Sequence, residues 1–262
     1  MKFPLTCLLL GLLTSFLAQA QPVPLPNAHA HNDYEHPRPL RDALEHGFTS
    51  VEADIHLMDG QLYVSHDTPD PAKARTLKEL YLEPLRQRIS ATGGWVYPNY
   101  PQPLLLLIDC KTEAEATYQV LRKQLNDYKS LLVRSENGKP VAGAVLIVLS
   151  GNRPMTTVSK DSNRLAALDG RPEDVNQAYS SAVMPLISTN FRQLVSWEGE
   201  GNLPETELAK VKSLASQVHA QGKKFRLWAT PESETVWAAL LAAGVDYFNT
   251  DQLDRLRQFL SR

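Results

Sequence analysis

The sequence predicts a single α/β domain built as a (β/α)8 barrel, and three observations carry that expectation. Strand-like and helix-like segments alternate along the chain beyond residue 20, with no linker or low-complexity run between them. One segment, PLLLLIDCK at residues 103–111, is a continuous apolar run, the pattern of a parallel strand covered by helices on both faces. Residues able to do chemistry gather where the strand-like segments end, which is where barrels of this kind carry their sites.

Residues 1–20 read as a secretory signal peptide. Lys2 supplies a positive start, residues 5–17 an apolar run too short to span a bilayer, and Ala18-Gln19-Ala20 a small-residue cleavage signal. Cleavage before Gln21 predicts a secreted or periplasmic protein with no membrane span of its own. Residues 21–262 then form the domain, close to the roughly 250 residues of one barrel. A formal net charge of −2 supports neither nucleic-acid binding nor adhesion to anionic membrane. Once Cys7 leaves with the leader, Cys110 stands alone and no intramolecular disulfide can form. A monomer is expected.

The elements follow in order. Strand one covers residues 27–33, and a helix runs from Pro39 at its first position to a stop at Gly47. Strand two covers 50–57; Asp59-Gly60 turns the chain into an attached return, 61–66. A helix over 75–89 leads to an aromatic, Pro-rich rim loop, SATGGWVYPNYPQP, before strand three at 103–111. Thr112 to Glu115 has the form of a capping box for a helix reaching Tyr128. Strands four, five and six cover 143–150, 164–169 and 184–189. An amphipathic helix over 204–221 stops at Gly222, strand seven is KFRLWA, and Thr230-Pro231 caps the next helix. Gly244 ends that helix, strand eight is VDYFNT, and a last helix starts at Asp251.

Alternation along the strands sorts the chemistry. In strand two, Glu52, Asp54 and His56 share one face while Val51, Ala53 and Ile55 share the other. Neighbouring carboxylates repel unless a cation lies between them. In strand three, Asp109 and Lys111 share the face of Leu105 and Leu107. Three carboxylates make a hard, all-oxygen site suited to Mg²⁺, with Ca²⁺ the other candidate. Lys111 beside it is placed to hold a phosphate oxygen. His31 ends strand one and His66 ends the return, two imidazoles able to move protons, so the set suits phosphate-ester chemistry. Asn152, Asp169, Arg171, Asn190 and Asn249, at later strand ends, are expected substrate contacts around the rim. Asp67 is expected to fix the His66 ring or a turn. His29, on the face of His31, reads either as a site partner or as a structural histidine.

His31-Asn32, Glu52-x-Asp54, His66-Asp67 and Asp109-x-Lys111, in that order, resemble the motifs of the glycerophosphodiester phosphodiesterase and phosphatidylinositol-specific phospholipase C-like superfamily of TIM barrels. HNDYxHxRPLxDALxxGxxSVEAD, with RPED, FRLWATP and GVDYFNTD further on, resembles the branch named for altered inheritance of mitochondria protein six, over nearly all of residues 21–262. The resemblance implies that His31 and His66 are the general base and acid pair, Glu52, Asp54 and Asp109 the metal ligands, and Lys111 the phosphate-side cation. It also implies that Asn32 contacts substrate and that Trp228 lies over the mouth. One imidazole would take a proton from a hydroxyl beside a small-molecule or lipid phosphodiester, and the other would protonate the departing alkoxide. A cyclic phosphate is the implied first product, from a glycerophosphodiester or (lyso)phospholipid-type substrate. Two departures bear on the substrate. Pro37-Arg38-Pro39-Leu40 stands where glycerophosphodiesterases carry a Pro-Glu-Asn-Thr-like stretch, and Asp109 stands where they usually have Glu, as in sphingomyelinase D-type members. The three carboxylates argue against the metal-free bacterial phosphatidylinositol phospholipases.

Two other readings compete. His29-Ala30-His31 is also how amidohydrolase-type zinc sites begin, although later strand ends supply no further histidine. A barrel can also keep its fold while binding a ligand without turnover.

Overall fold

In the computed structural model, which describes residues 21–197 and 201–262, the alternation resolves into eight parallel strands closed on themselves. The leader read from residues 1–20 lies outside the described residues. No helix among the described residues is long and apolar enough to cross a membrane.

The first half of the chain gives β1 (Leu25–Ala30), α1 (Arg41–Glu45), β2 (Phe48–Met58), β3 (Gln61–Val64), α2 (Glu83–Ala91), β4 (Leu104–Cys110) and α3 (Ala114–Asn126). A small hairpin, β5 (Arg134–Glu136) and β6 (Lys139–Val141), precedes β7 (Val145–Gly151), α4 (Met155–Lys160) and β8 (Ala167–Gly170). Then come β9 (Leu186–Asn190), α5 (Phe191–Leu194), α6 (Glu205–His219), β10 (Lys224–Trp228), α7 (Glu234–Ala242), β11 (Tyr247–Thr250) and α8 (Leu253–Leu260). Around the barrel the order is β1, β2, β4, β7, β8, β9, β10, β11, and β11 pairs with β1 to close the ring. β3 pairs antiparallel with the outer end of β2, as the Asp59-Gly60 turn predicts.

Parity divides the buried residues into two cores. Val51, Ala53, Ile55, Leu106 and Ile108 face outward into the layer between barrel and helices, the larger core. Leu105, Leu107, Val148, Ala167 and Leu186 face inward and fill the barrel below its mouth. Each such aliphatic side chain contributes roughly 1.5–3 kcal/mol by leaving water. Above that inner plug the inward positions turn polar. Asp54 and Asp109 stand directly opposite each other in the β2–β4 register, and Ser150 stands opposite Asp109 on β7.

Several local expectations are corrected. Helix α1 begins at Arg41 rather than Pro39, because Leu40 takes a left-handed φ of 63° while its amide donates to the buried Asp33 carboxylate at 2.6 Å. Glu113, not Thr112, caps α3, accepting from the amides of Glu115 and Ala116. Thr112 instead accepts from the Leu57 amide at 2.9 Å, tying α3 to β2. Ser233, not Thr230-Pro231, caps α7. The β5–β6 hairpin is an addition. Its Asn137-Gly138 turn has positive φ at both residues, the geometry that dipeptide favours.

Candidate active site

The carboxyl ends of β1, β2 and β4, with the segment just after β3, bring five of the expected groups to one cavity of about 260 Å³. Its wall includes His31, Glu52, Asp54, His66 and Asp109, together with Lys111, Asn32, Arg171 and Trp228. One oxygen from each of Glu52, Asp54 and Asp109 lies within 4.8 Å of the others, the one such acidic group among the described residues.

Each acid commits one oxygen to protein donors. Glu52 Oε2 accepts from Nε2 of His29 at 2.9 Å and from Nη2 of Arg226 at 2.6 Å. Asp54 Oδ2 takes three donors: the Tyr34 hydroxyl at 2.8 Å, His66 Nδ1 at 3.0 Å and Lys111 Nζ at 2.9 Å. Asp109 Oδ2 accepts from Lys111 Nζ at 3.0 Å. The remaining oxygens of Asp54 and Asp109 are buried and make no hydrogen bond. A buried carboxylate oxygen without a partner is costly, and a hard cation is the kind of partner such oxygens suit. Residues and geometry therefore fit a divalent ion held by Glu52, Asp54 and Asp109.

Electrostatics point the same way. Burial pushes the pKa of Asp109 above the usual carboxylate value, the Lys111 ammonium offsets this only in part, and the Asp54 charge adds to it. Burial would raise Glu52 as well, but Arg226 and His29 outweigh it and hold Glu52 well below the carboxylate range. Glu52 is therefore ionised with or without a cation beside it.

The two imidazoles differ in their supports. His31 Nδ1 lies 2.9 Å from Asp251 Oδ1. Burial opposes its protonation, yet the Asp251 hydrogen bond and the Glu52 and Asp251 charges prevail, and its pKa is raised. His66 donates through Nδ1 to Asp54, because a carboxylate can only accept, so in the neutral ring the lone pair is on Nε2. Asp54, not the exposed Asp67, orients that ring.

His29 is fully buried, and burial together with the Arg226 charge lowers its pKa to about 4. Neutral, it donates from Nε2 to Glu52 and accepts from the Ser50 hydroxyl at Nδ1, 2.6 Å away. Both nitrogens are committed, so His29-Ala30-His31 does not offer the zinc pair that its spacing suggests.

The expected rim contacts separate into two groups. Asn32, Arg171 and Trp228 line the cavity. Asn152, Asp169, Asn190 and Asn249 do not line it. Asn152 spends its amide on the carbonyls of Lys111 and Thr112, both at 3.1 Å. Asn190 caps α5, and Asn249 accepts from Nε of Arg226 at 2.9 Å. Asp169 is fully buried beneath Arg171.

Four residues here escape sequence reasoning: Tyr34, Arg226, Asp251 in its role toward His31, and Gly151. Arg226 carries a usable signal, a charged residue at an inward strand position between the buried Phe225 and Leu227. Gly151 adopts φ +63° against the site, where an added Cβ would stand 1.9 Å from Asp109 Oδ1 and 2.6 Å from the Cys110 carbonyl.

Residues 14–169, more than half of the chain, match the family described as the AIM6-like phosphodiesterase domain, and residues 224–254 match the glycerophosphoryl diester phosphodiesterase family. The chain is 27% identical to the altered inheritance of mitochondria protein 6 homolog of Arthroderma benhamiae, across 90% of this chain and 84% of that protein. It is 28% identical to altered inheritance of mitochondria protein 6 of Lachancea thermotolerans, across 96% and 69%. Among solved structures, a glycerophosphodiester phosphodiesterase from Parabacteroides distasonis superposes with a TM-score of 0.57 at 14% identity, covering 91% of this chain and 98% of that one. At that identity the likeness is one of fold.

Proposed function

The chain belongs to the AIM6-like phosphodiesterase family, and from that membership and its site we propose that it is a divalent-metal-dependent phosphodiesterase working by paired-imidazole catalysis. The observation that carries the proposal is the grouping of Glu52, Asp54 and Asp109, one oxygen of each within 4.8 Å of the others, beside Lys111, with one oxygen of Asp54 and one of Asp109 buried and unpartnered. Mg²⁺ suits the all-oxygen donors, with Ca²⁺ the alternative.

A cation held by Glu52, Asp54 and Asp109 supplies Lewis acidity toward a phosphoryl oxygen. The residues of the chain do the rest. Lys111 Nζ, between Asp54 and Asp109, holds a second phosphoryl oxygen and the negative charge that grows on it. His66 Nε2 takes the proton from a hydroxyl beside the diester, or from water, as that oxygen bonds to phosphorus. His31, whose protonated form Asp251 stabilises through Nδ1, gives its Nε2 proton to the alcohol oxygen as the second P–O bond breaks. With a neighbouring hydroxyl as nucleophile, the first product is a cyclic phosphate.

Phosphorus NMR tests this reading on lysophospholipids, glycerophosphodiesters and their cyclic phosphates with Mg²⁺ present. A new monoester or cyclic-phosphate resonance that disappears with EDTA supports it. Spectra that stay unchanged across the whole panel overturn it. Export, read from residues 1–20, has its own test: fractionation and N-terminal sequencing of the native protein should place it outside the cytoplasm, starting at Gln21.

A further inference from the structure

Beyond the metal-side acids, the cavity has a second built wall at β7 and β8. Asp169 there is fully buried, and both of its oxygens are taken: Oδ1 by the Ser188 hydroxyl at 2.6 Å, Oδ2 by the Ser150 hydroxyl at 2.9 Å and by Arg171 Nη1 at 2.7 Å. Burying a carboxylate is costly unless its partners satisfy it, and here they fix one guanidinium in place. Arg171 Nη1 also donates to the Gly170 carbonyl at 3.0 Å, and Nη2 to Ser150 at 3.2 Å. Its Nε–H and part of its Nη2 donor capacity are left over on a group that lines the cavity.

Arg153, from the chain just after β7, stands close by. Among the described residues its guanidinium makes one side-chain hydrogen bond, to the Met155 sulfur at 3.5 Å. Burial and the Arg171 charge both lower its pKa; Asp169, Asp174 and Glu173 work against them, although Asp174 also accepts from the Arg171 amide at 2.8 Å. The Arg171 guanidinium is thus fixed on the wall of a cavity that already has Lys111 and a cation site for a singly charged diester.

We propose that Arg171 is a recognition site for a second acidic group on the substrate, so that the enzyme acts on compact phosphodiesters carrying a carboxylate or phosphate near the scissile phosphorus. The inference rests on the phosphodiesterase reading for where the scissile group sits. The distance sets the class. Ser150 faces Asp109 in register on a strand about 4.8 Å away, and the Arg171 head lies one further hydrogen bond, 3.2 Å, from Ser150, so it stands within roughly 8 Å of Asp109. A charge on the atoms adjoining the ester oxygen reaches it; one at the far end of a long acyl chain does not.

Calorimetric titration of the Mg²⁺-loaded protein with O-phosphoserine and with phosphoethanolamine, which differ only by a carboxylate, tests this. The wild type should bind phosphoserine about tenfold or more tightly, the value of one charge-assisted, forked contact. Arg171→Gln should abolish that preference and leave phosphoethanolamine binding unchanged. Because that variant strands the Asp169 charge, the double variant Asp169→Asn/Arg171→Gln, which removes both charges, should give the same loss in a folded protein. No preference in the wild type, equal weakening of both ligands in the variants, or no binding of either ligand overturns the proposal. Should the preference hold while no diester is hydrolysed, the phosphodiesterase reading fails and this recognition site stands. Should a diester be hydrolysed without the preference, the recognition site fails and the phosphodiesterase reading stands.

Discussion

Asp251 Oδ1 lies 2.9 Å from Nδ1 of His31, two residues joined from opposite ends of the chain by closure of the barrel through β11 and β1. The contact orients the imidazole and raises its affinity for a proton. If His31 is the general acid, activity is lost on the alkaline side as that proton leaves. Asp251→Asn removes the charge, lowers the His31 pKa, and should move the alkaline limb of kcat/KM to lower pH. The shift should be modest, since Asp251 is exposed and its charge is screened. An alkaline limb that stays in place would show that His31 is not the acid.

Gly151 is required by geometry rather than by chemistry. In Gly151→Ala the methyl group meets Asp109 Oδ1 at 1.9 Å in a left-handed backbone conformation, which costs roughly 1–2 kcal/mol by itself. The carboxylate must turn away. Mg²⁺ affinity should fall by about 10- to 100-fold, the usual range when a group supporting a ligand is lost. Calorimetry on the folded variant checks this; unchanged affinity would mean that Asp109 does not ligate.

Tyr34→Phe removes one of the three donors on Asp54 Oδ2 without changing the ring. Mg²⁺ affinity should drop by about tenfold while Tm changes little. Equal affinity in both proteins would reduce Tyr34 to a packing residue.

His29 and Asp33 set opposing pH dependences of stability. His29 has a folded pKa of about 4 against 6.5, so between those values the unfolded chain binds the extra proton and stability falls as pH falls. Asp33 has its pKa raised to about 6 from 3.8, mainly by burial, so the folded chain binds the extra proton and stability rises as pH falls from 6. Each effect is worth about 3 kcal/mol over its window, and the two largely cancel. His29→Gln, freed of the first effect, should become more stable relative to wild type as pH drops from 6.5 to 4. Urea melts at several pH values measure the difference; a constant difference contradicts a neutral, buried His29.

Much of this arrangement is legible in the chain, because a period of two decides which side chains of a strand face inward. That rule alone puts Glu52, Asp54 and Asp109 on the inner face, with Leu105 and Leu107 beneath. What it cannot give is the direction of a side chain at the rim. Asn152 looks like a substrate contact at a strand end, yet its amide is spent on two backbone carbonyls. Asp169 looks like a contact and is instead the buried anchor of Arg171. Arg226 shows in the sequence only as a charge at an inward strand position, and its partner, like that of Tyr34, is illegible, because Glu52 and Asp54 are remote in sequence and meet them only in the folded barrel. Helix starts are displaced wherever a tertiary partner competes for the capping residue, as Leu57 does for Thr112.

The most direct test is hydrolysis of one accepted phosphodiester by the wild type with Mg²⁺, after EDTA, and by His31→Ala, His66→Ala, Glu52→Gln and Asp109→Asn. EDTA should abolish turnover, Mg²⁺ should restore it, and each imidazole variant should lose about 10²–10⁴ in kcat. The two acid variants should need much more Mg²⁺ to reach any rate. Turnover indifferent to EDTA and to these four substitutions would contradict a metal-dependent, paired-imidazole phosphodiesterase.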